Sequence, residues 1–293
     1  MTTESSNTNS LSTVYLPDTL FSRKAHAGFA AEFTGLLEQS GTPWQKLSGT
    51  RDIWARDYMP VEIAPRQFEL FRYWPSYVVK YPSKLRYITN GMAVFEKLMP
   101  GEKVQLSPIA LDGGNLLLNA THALMTDRLF TENPDVSPAQ LLSELEHVLQ
   151  CRIVILPAQD KDEIGHVDGM VRFLSDGSVL MNEYKDAERP IGDRLKEILA
   201  KEGFDVHTLM YHPDDNPTDL DATGIYINYL LAGDCLFVPA FGGALEEKDA
   251  EALETLSGLH PGCRVFPVNC SDIAKLGGLL HCVSWTRFGS ERR

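Results

Sequence analysis

The feature that most narrows the folds open to this chain is a regular alternation. Short apolar runs of strand character follow stretches of helical period from about residue 25 nearly to the C-terminus, with no composition break between them. Residues 25–41 carry apolar side chains at helical spacing and stop in Ser-Gly. Ser137 offers an N-cap and Pro138 a first helical position for a second helix, after which RIVILPA reads as a strand. GMVRFL and SVLMN flank Asp176-Gly177, a hairpin-like turn signal. RPIGDRLKEILAKEG and VHTLMY follow as helix and strand, and IYINYLLAG and CLFVPAFGG both read as strands. EEKDAEALETLSGLHPG is a helix, RVFPVN a strand, SDIAKLGG a short helix and LLHCVSW a last strand. Such alternation predicts α/β architecture. Apolar runs leading into proline recur as VILPA, LFVPA and VFPV, which suits a fold of similar modules. In a chain of 293 residues without a linker, the expectation is a frayed tail over 1–13 and one domain over 14–293.

Composition excludes several classes. Hydrophobic residues at 43% and charged residues at 23% match a folded globular chain. Against 27 Lys and Arg stand 40 Asp and Glu, and the net charge of -13 repels nucleic-acid phosphates and anionic membranes while favouring small cationic partners. No run approaches the ~20 apolar residues of a membrane span, and MTTESSNTNSLST lacks the basic start and apolar centre of a secretory signal. The five cysteines are odd in number and form no CxxC pair, which argues against a disulfide framework or a zinc ribbon. A reducing, cytoplasmic compartment is expected.

Several segments could carry chemistry. Cys282 sits in GGLLHCVSW, where two glycines let backbone approach a ligand closely; a free cysteine is also ordinary core filling. His166 and Asp168 in GHVDGMVRF stand at i and i+2, on one face of an extended strand. A metal pair, an acid/base with an anionic neighbour and a surface pair all fit that spacing. TRDIWARDYMP supplies Asp52, Trp54, Arg56 and Asp57, where an aromatic and a carboxylate three apart could cradle a flat cation or simply form a loop with an Arg–Asp ion pair. Asp112 precedes paired glycines in LDGGN, a turn signal. The polar segment 212–224 holds His212, Asp214, Asp215, Asp219 and Asp221, and reads as a solvated loop, a substrate lid beside Tyr226 and Asn228, or a metal site; its spacing fits no EF-hand.

In order, WxRD, DGG, GHVDG, YIN and GGxxHC, spread from Trp54 to Cys282, resemble the guanidine-modifying superfamily in its agmatine deiminase and bacterial peptidylarginine deiminase branch. The resemblance implies the pentein fold, a fivefold pseudosymmetric α/β propeller of ββαβ modules with the site at its centre. By the same resemblance Asp57 and Asp168 match the two carboxylates that grip a guanidinium, His166 the catalytic histidine and Cys282 the nucleophile. Trp54 matches the aromatic near the substrate, Asn228 a site asparagine, and Asp112 a substrate-side position where many members have Glu. The activity implied is a C–N hydrolase acting on a small cationic guanidino compound, with agmatine going to N-carbamoylputrescine and ammonia the favoured reading. Deimination of arginine, peptidyl-arginine or a guanidino acid, amidino transfer, and guanidinium binding without catalysis are the alternatives. Arg72, Lys80, Lys84 and Arg86 could take the carboxylate of a guanidino acid, or be solvated surface charge. No metal or organic cofactor is implied, and a homo-oligomer is left open.

Overall fold

The computed structural model describes residues 12–159, 162–175, 177–213 and 220–287. Among them the strands form five three-stranded sheets, each with one antiparallel and one parallel pairing. β1 (Val14–Pro17) runs parallel to β2 (Trp44–Leu47), with helix Ala27–Ser40 in the connection. β3 (Val61–Ala64) pairs antiparallel with β4 (Gln67–Arg72), which crosses over to the parallel β5 (Val104–Ala110). The same order repeats in β6 (Leu117–Leu118), β7 (His122–Thr126) and β8 (Arg152–Leu156), and in β9 (Val171–Ser175), β10 (Ser178–Asn182) and β11 (Asp205–Leu209). It repeats again in β12 (Leu230–Ala232), β13 (Cys235–Ala240) and β14 (Arg264–Asn269). The first sheet is completed from the far end of the chain, where β15 (Trp285–Thr286) pairs antiparallel with β1. Parallel neighbours require a long crossover, and a helix fills each one.

Local chemistry explains those helices. Pro138–Leu149 starts where the Ser137 hydroxyl accepts the Gln140 N–H, and it buries Leu141, Leu145 and Leu149 on one face. Ala27–Ser40 ends on Gly41, whose φ of 74° is the left-handed stop that the Ser-Gly pair signals. Asp249, near the start of Glu246–Leu259, accepts the Phe241 and Gly242 N–H groups and the Tyr226 hydroxyl, tying that helix to the segment that follows residue 224. Trp285 closes the ring: its Nε1 donates to the Pro60 carbonyl at 2.7 Å, and its ring lies against Tyr15, Phe68 and Phe95.

Several expectations need correction. IYINYLLAG is a strand only over Leu230–Ala232, and LLHCVSW only at Trp285. GHVDG is not extended; Val167–Gly169 is a 3-10 turn with His166 at its start. These runs are apolar because they are buried at the hub on every side, and burial alone cannot distinguish a strand from a turn. The proline echo does not mark the repeat either, since VILPA and VFPV lie on third strands of their sheets and LFVPA on a middle one. Asp176, Asp214, Asp215, Asp219 and residues 1–11 lie outside the described residues. No helix among the described residues is long and apolar enough to cross a membrane.

Candidate active site

The hub is built from turns, one after another along the chain. Asp52 opens the first by accepting the Trp54 N–H at 3.0 Å, and the helical turn Ala55–Tyr58 then carries Asp57 inward. Arg56 donates its N–H to the Cys282 carbonyl at 3.1 Å and its Nε–H to the His281 carbonyl at 3.4 Å. The first turn is thereby fastened to the last. The DGG segment is more than a tight bend: Gly114 donates to Asp57 Oδ1 at 2.9 Å, and a Cβ there would stand 2.6 Å from His166 Nδ1 and 2.8 Å from Asp57 Oδ1. Only glycine lets those two side chains meet.

His166 lies between two carboxylates, its Nε2 3.1 Å from Asp112 Oδ2 and its Nδ1 3.6 Å from Asp57 Oδ1. Tyr77 donates to the same Asp112 oxygen at 3.0 Å and sets its ring edge-on to the imidazole. Asp168 Oδ2 accepts from His281 Nδ1 at 2.6 Å and stands 3.8 Å from Cys282 Sγ. Asn228 holds the final turn: its Oδ1 accepts the N–H groups of His281 and Cys282 at 3.1 and 3.3 Å and faces the Cys282 thiol at 3.4 Å. Its Nδ2 donates to the Asp168 carbonyl at 3.2 Å. Trp54 stands over Gly278, where a Cβ would come within 2.5 Å of the indole. So Asp57, Asp112, His166, Asp168, Asn228, Cys282 and Trp54 converge from five separate segments.

Burial sets the charges. It raises Asp57 to about 7, with the neighbouring Asp112 and Asp168 adding to the effect and His166 opposing it. Burial also works against the His166 imidazolium, yet Asp57, Asp112 and Asp168 together hold it up at about 10. For Asp168 burial is likewise the largest influence and would raise it, but the His281 hydrogen bond with the nearby His166 and Arg172 charges keeps it below the usual carboxylate range. The Cys282 thiol is pushed up by burial and by the Asp168 and Asp57 charges. These influences favour the neutral thiol at Cys282 and the imidazolium at His166.

An open cleft reaches His166, Asp168, Asn228 and Cys282, while Asp57, Asp112 and Trp54 do not line it. The rest of its lining is polar at Gln159, Asp162 and Asp221 and apolar at Ile164, Leu220, Ala222, Ile225 and Leu279. Arg72, Lys80, Lys84 and Arg86 are absent from the lining, and Lys80 is ion-paired with Glu163. Of the acidic segment, Asp221 reaches the cleft, where its carboxylate is bound by Thr223. Tyr226 faces Asp249 instead. Among the described residues no group of three or more His, Cys, Asp or Glu side chains could hold a metal ion. Two contacts escaped the sequence. His281 was visible only as the neighbour of Cys282, since nothing in the order of residues joins it to Asp168, and Asp112, expected on the substrate side, is hydrogen-bonded to His166.

Five ββαβ sheets around a hub of carboxylates, histidines and a thiol define a pentein of the guanidine-modifying kind. The sequence profile of the Porphyromonas-type peptidyl-arginine deiminase family matches residues 37–287, and the chain belongs to that family. An agmatine deiminase of Medicago truncatula is 27% identical over 208 residues, which cover 60% of this chain and 54% of that one. A Legionella pneumophila protein that carries the agmatine deiminase name provisionally is 27% identical over 196 residues, 61% of this chain and 55% of its own. The chain thus spans about half the length of the curated relatives it matches. Among solved structures, C. jejuni agmatine deiminase, as a cysteine-to-serine variant with substrate bound, superposes with a TM-score of 0.74 at 18% identity, covering 96% of this chain and 95% of that one. Agmatine deiminase of Enterococcus faecalis superposes with a TM-score of 0.69 at 18% identity, covering 97% and 94%. At such identities these likenesses show the fold.

Proposed function

We propose that residues 14–293 act as one catalytic domain that deiminates a small guanidino compound, with Cys282 as the nucleophile. The observation that carries this reading is the placing of Cys282 Sγ 3.8 Å from the Asp168 carboxylate, with His166 lining the same cleft. A guanidinium is planar and presents paired donors that carboxylates grip edge-on, a role that falls to Asp57 and Asp168. Its arrival adds a positive charge between those carboxylates. The thiol then loses its proton to solvent, because the carboxylates that disfavour a thiolate are now paired. Sulfur attacks the guanidinium carbon, and His166 protonates one amino group of the tetrahedral adduct, which leaves as ammonia. The neutral imidazole next takes a proton from water as its oxygen adds to the thiouronium carbon. Collapse breaks the C–S bond, restores the thiolate and leaves a ureido product, while the remaining proton accompanies ammonia as ammonium. Asp112 keeps the imidazole turned toward the cleft throughout.

Agmatine is the substrate this site favours. The apolar side chains of the lining suit a methylene chain, and the Asp162 and Asp221 carboxylates among them suit a terminal ammonium rather than a carboxylate. The relatives with agmatine deiminase names point the same way. A panel of agmatine, arginine, peptidyl-arginine and guanidino acids, assayed for ammonia and ureido product, tests the reading. Turnover of agmatine well ahead of arginine is expected; turnover of arginine or peptidyl-arginine ahead of agmatine would move the substrate, and no turnover of any would remove the enzyme.

A further inference from the structure

Arg172 lies four residues beyond Asp168 in GHVDGMVRF and takes no part in the steps above. It sits on β9 opposite Leu180 of β10 and is 4% exposed. Among the described residues it forms no ion pair, and its Nη1 has no hydrogen-bond partner. A buried guanidinium without a counter-ion is costly, so its retention asks for a reason. Its neighbours supply one. The guanidinium carbon lies 4.9 Å from the centre of the Tyr229 ring, a cation–π contact with a residue that is itself buried. The Tyr229 hydroxyl meets His260 Nε2 at 3.1 Å, and His260, also buried, packs edge-on to the tyrosine ring. Tyr229 directly follows Asn228, the residue whose Oδ1 holds the His281–Cys282 turn.

The hub is rich in carboxylates and short of permanent cations. Around Asp168 stand His281 at 2.6 Å, the Cys282 thiol at 3.8 Å, Asn228 on its carbonyl, and the further charges of His166, Asp57 and Arg172. The two histidines can each lose a proton, whereas an arginine does not. We infer that Arg172 is a positioning residue: it supplies the fixed positive charge behind the Asp168 carboxylate and, through its stack on Tyr229, holds Asn228 and hence the Cys282 turn in place. The Arg172 charge is felt on both sides, since it helps hold Asp168 low and, after burial, helps press His260 down to about 4. The inference rests on the reading of Asp168 as a guanidinium clamp.

The test compares wild type with Arg172→Met and Arg172→Lys in two measurements. One is kcat/KM on whichever guanidino compound the wild type turns over; the other is the NMR titration of the Asp168 carboxyl and the His260 ring, which needs no substrate. Arg172→Met is expected to lose about tenfold or more in kcat/KM, to move the Asp168 titration up, and to let His260 titrate closer to its ordinary range. Arg172→Lys keeps the charge and should leave both titrations near wild type while lowering kcat through the lost stack. If circular dichroism shows Arg172→Met unfolded, Arg172→Gln replaces it with the same expectation. A folded, neutral variant with unmoved Asp168 and His260 titrations would overturn the inference, as would a lysine variant that shifts as far as the methionine one. Failure of the wild type to turn over any guanidino compound would instead overturn the deiminase reading, and the His260 titration would then decide the charge of Arg172 alone.

Discussion

Cys282 differs from the other cysteines in what surrounds it. Cys235 and Cys270 are buried in an apolar cluster, and Cys151 and Cys263 pack at the edges of clusters, whereas Cys282 lines the cleft. Cys282→Ala should therefore abolish turnover, and Ala or Ser at each of the other four should leave it largely intact; ammonia release by the purified variants checks this. Asp57→Asn and Asp168→Asn should also abolish turnover, each by about a hundredfold or more, because a misoriented cation in a desolvated site loses its reactive alignment. Circular dichroism must show both folded for the clamp to stand. The pH dependence has a definite sign. As pH falls through about 7, Asp57 takes up a proton and the clamp loses charge; as it rises through about 10, His166 loses the proton it must deliver. The profile of kcat/KM should accordingly climb most steeply below about 7, rise more gently above it while the free-enzyme thiol must still shed its proton, and stop rising near 10; no change of slope near 7 would remove Asp57 from the free enzyme's essential groups.

The turns at the hub trade stability for function. Asp52 is half-buried and raised to about 8, chiefly by desolvation and further by Asp57, while its hydrogen bond from Trp54 N–H opposes the rise. For an acid raised on folding, the unfolded chain ionises first, so the stability it contributes declines as pH climbs from the ordinary carboxylate range toward 8. Asp52→Asn keeps an acceptor for Trp54 and should raise Tm by a few degrees at pH 9 and by much less at pH 4; equal gains at both would show that ionisation is not the cause. Gly114→Ala should act differently, since its Cβ would strike the His166 ring and Asp57. Activity should fall by about tenfold or more with the far-ultraviolet spectrum unchanged. These turns were hidden in the sequence for a physical reason: hub segments are apolar because they are enclosed, so GHVDG and LLHCVSW show the composition of strands while their hydrogen bonds run between segments distant in the chain.

The ring itself is closed by joining its ends, β15 against β1, with Trp285 wedged among Tyr15, Phe68 and Phe95. Trp285→Ala should cost about 3–5 kcal/mol, seen as a lower denaturant midpoint, and a loss near 1 kcal/mol would mean the closure is not a structural seam. Much of this molecule could be read before folding was considered. The amphipathic periods of Ala27–Ser40, Pro138–Leu149, Arg189–Lys201 and Glu246–Leu259 are local, as are the Ser137 cap and the Gly41 stop, because each rests on contacts within a few residues. The order of WxRD, DGG, GHVDG, YIN and GGxxHC singled out Asp57, His166, Asp168, Asn228 and Cys282 by family resemblance, and the fold gathers those five side chains at its hub. What no local pattern carries is pairing between residues far apart in the chain. That the last strand belongs to the first sheet, that His281 and not a neighbour of Asp168 binds its carboxylate, and that Asp112 serves His166 depend on which turns the closed ring brings to its axis. Those contacts also set the protonation of the site, because burial and charge act through space and not along the chain.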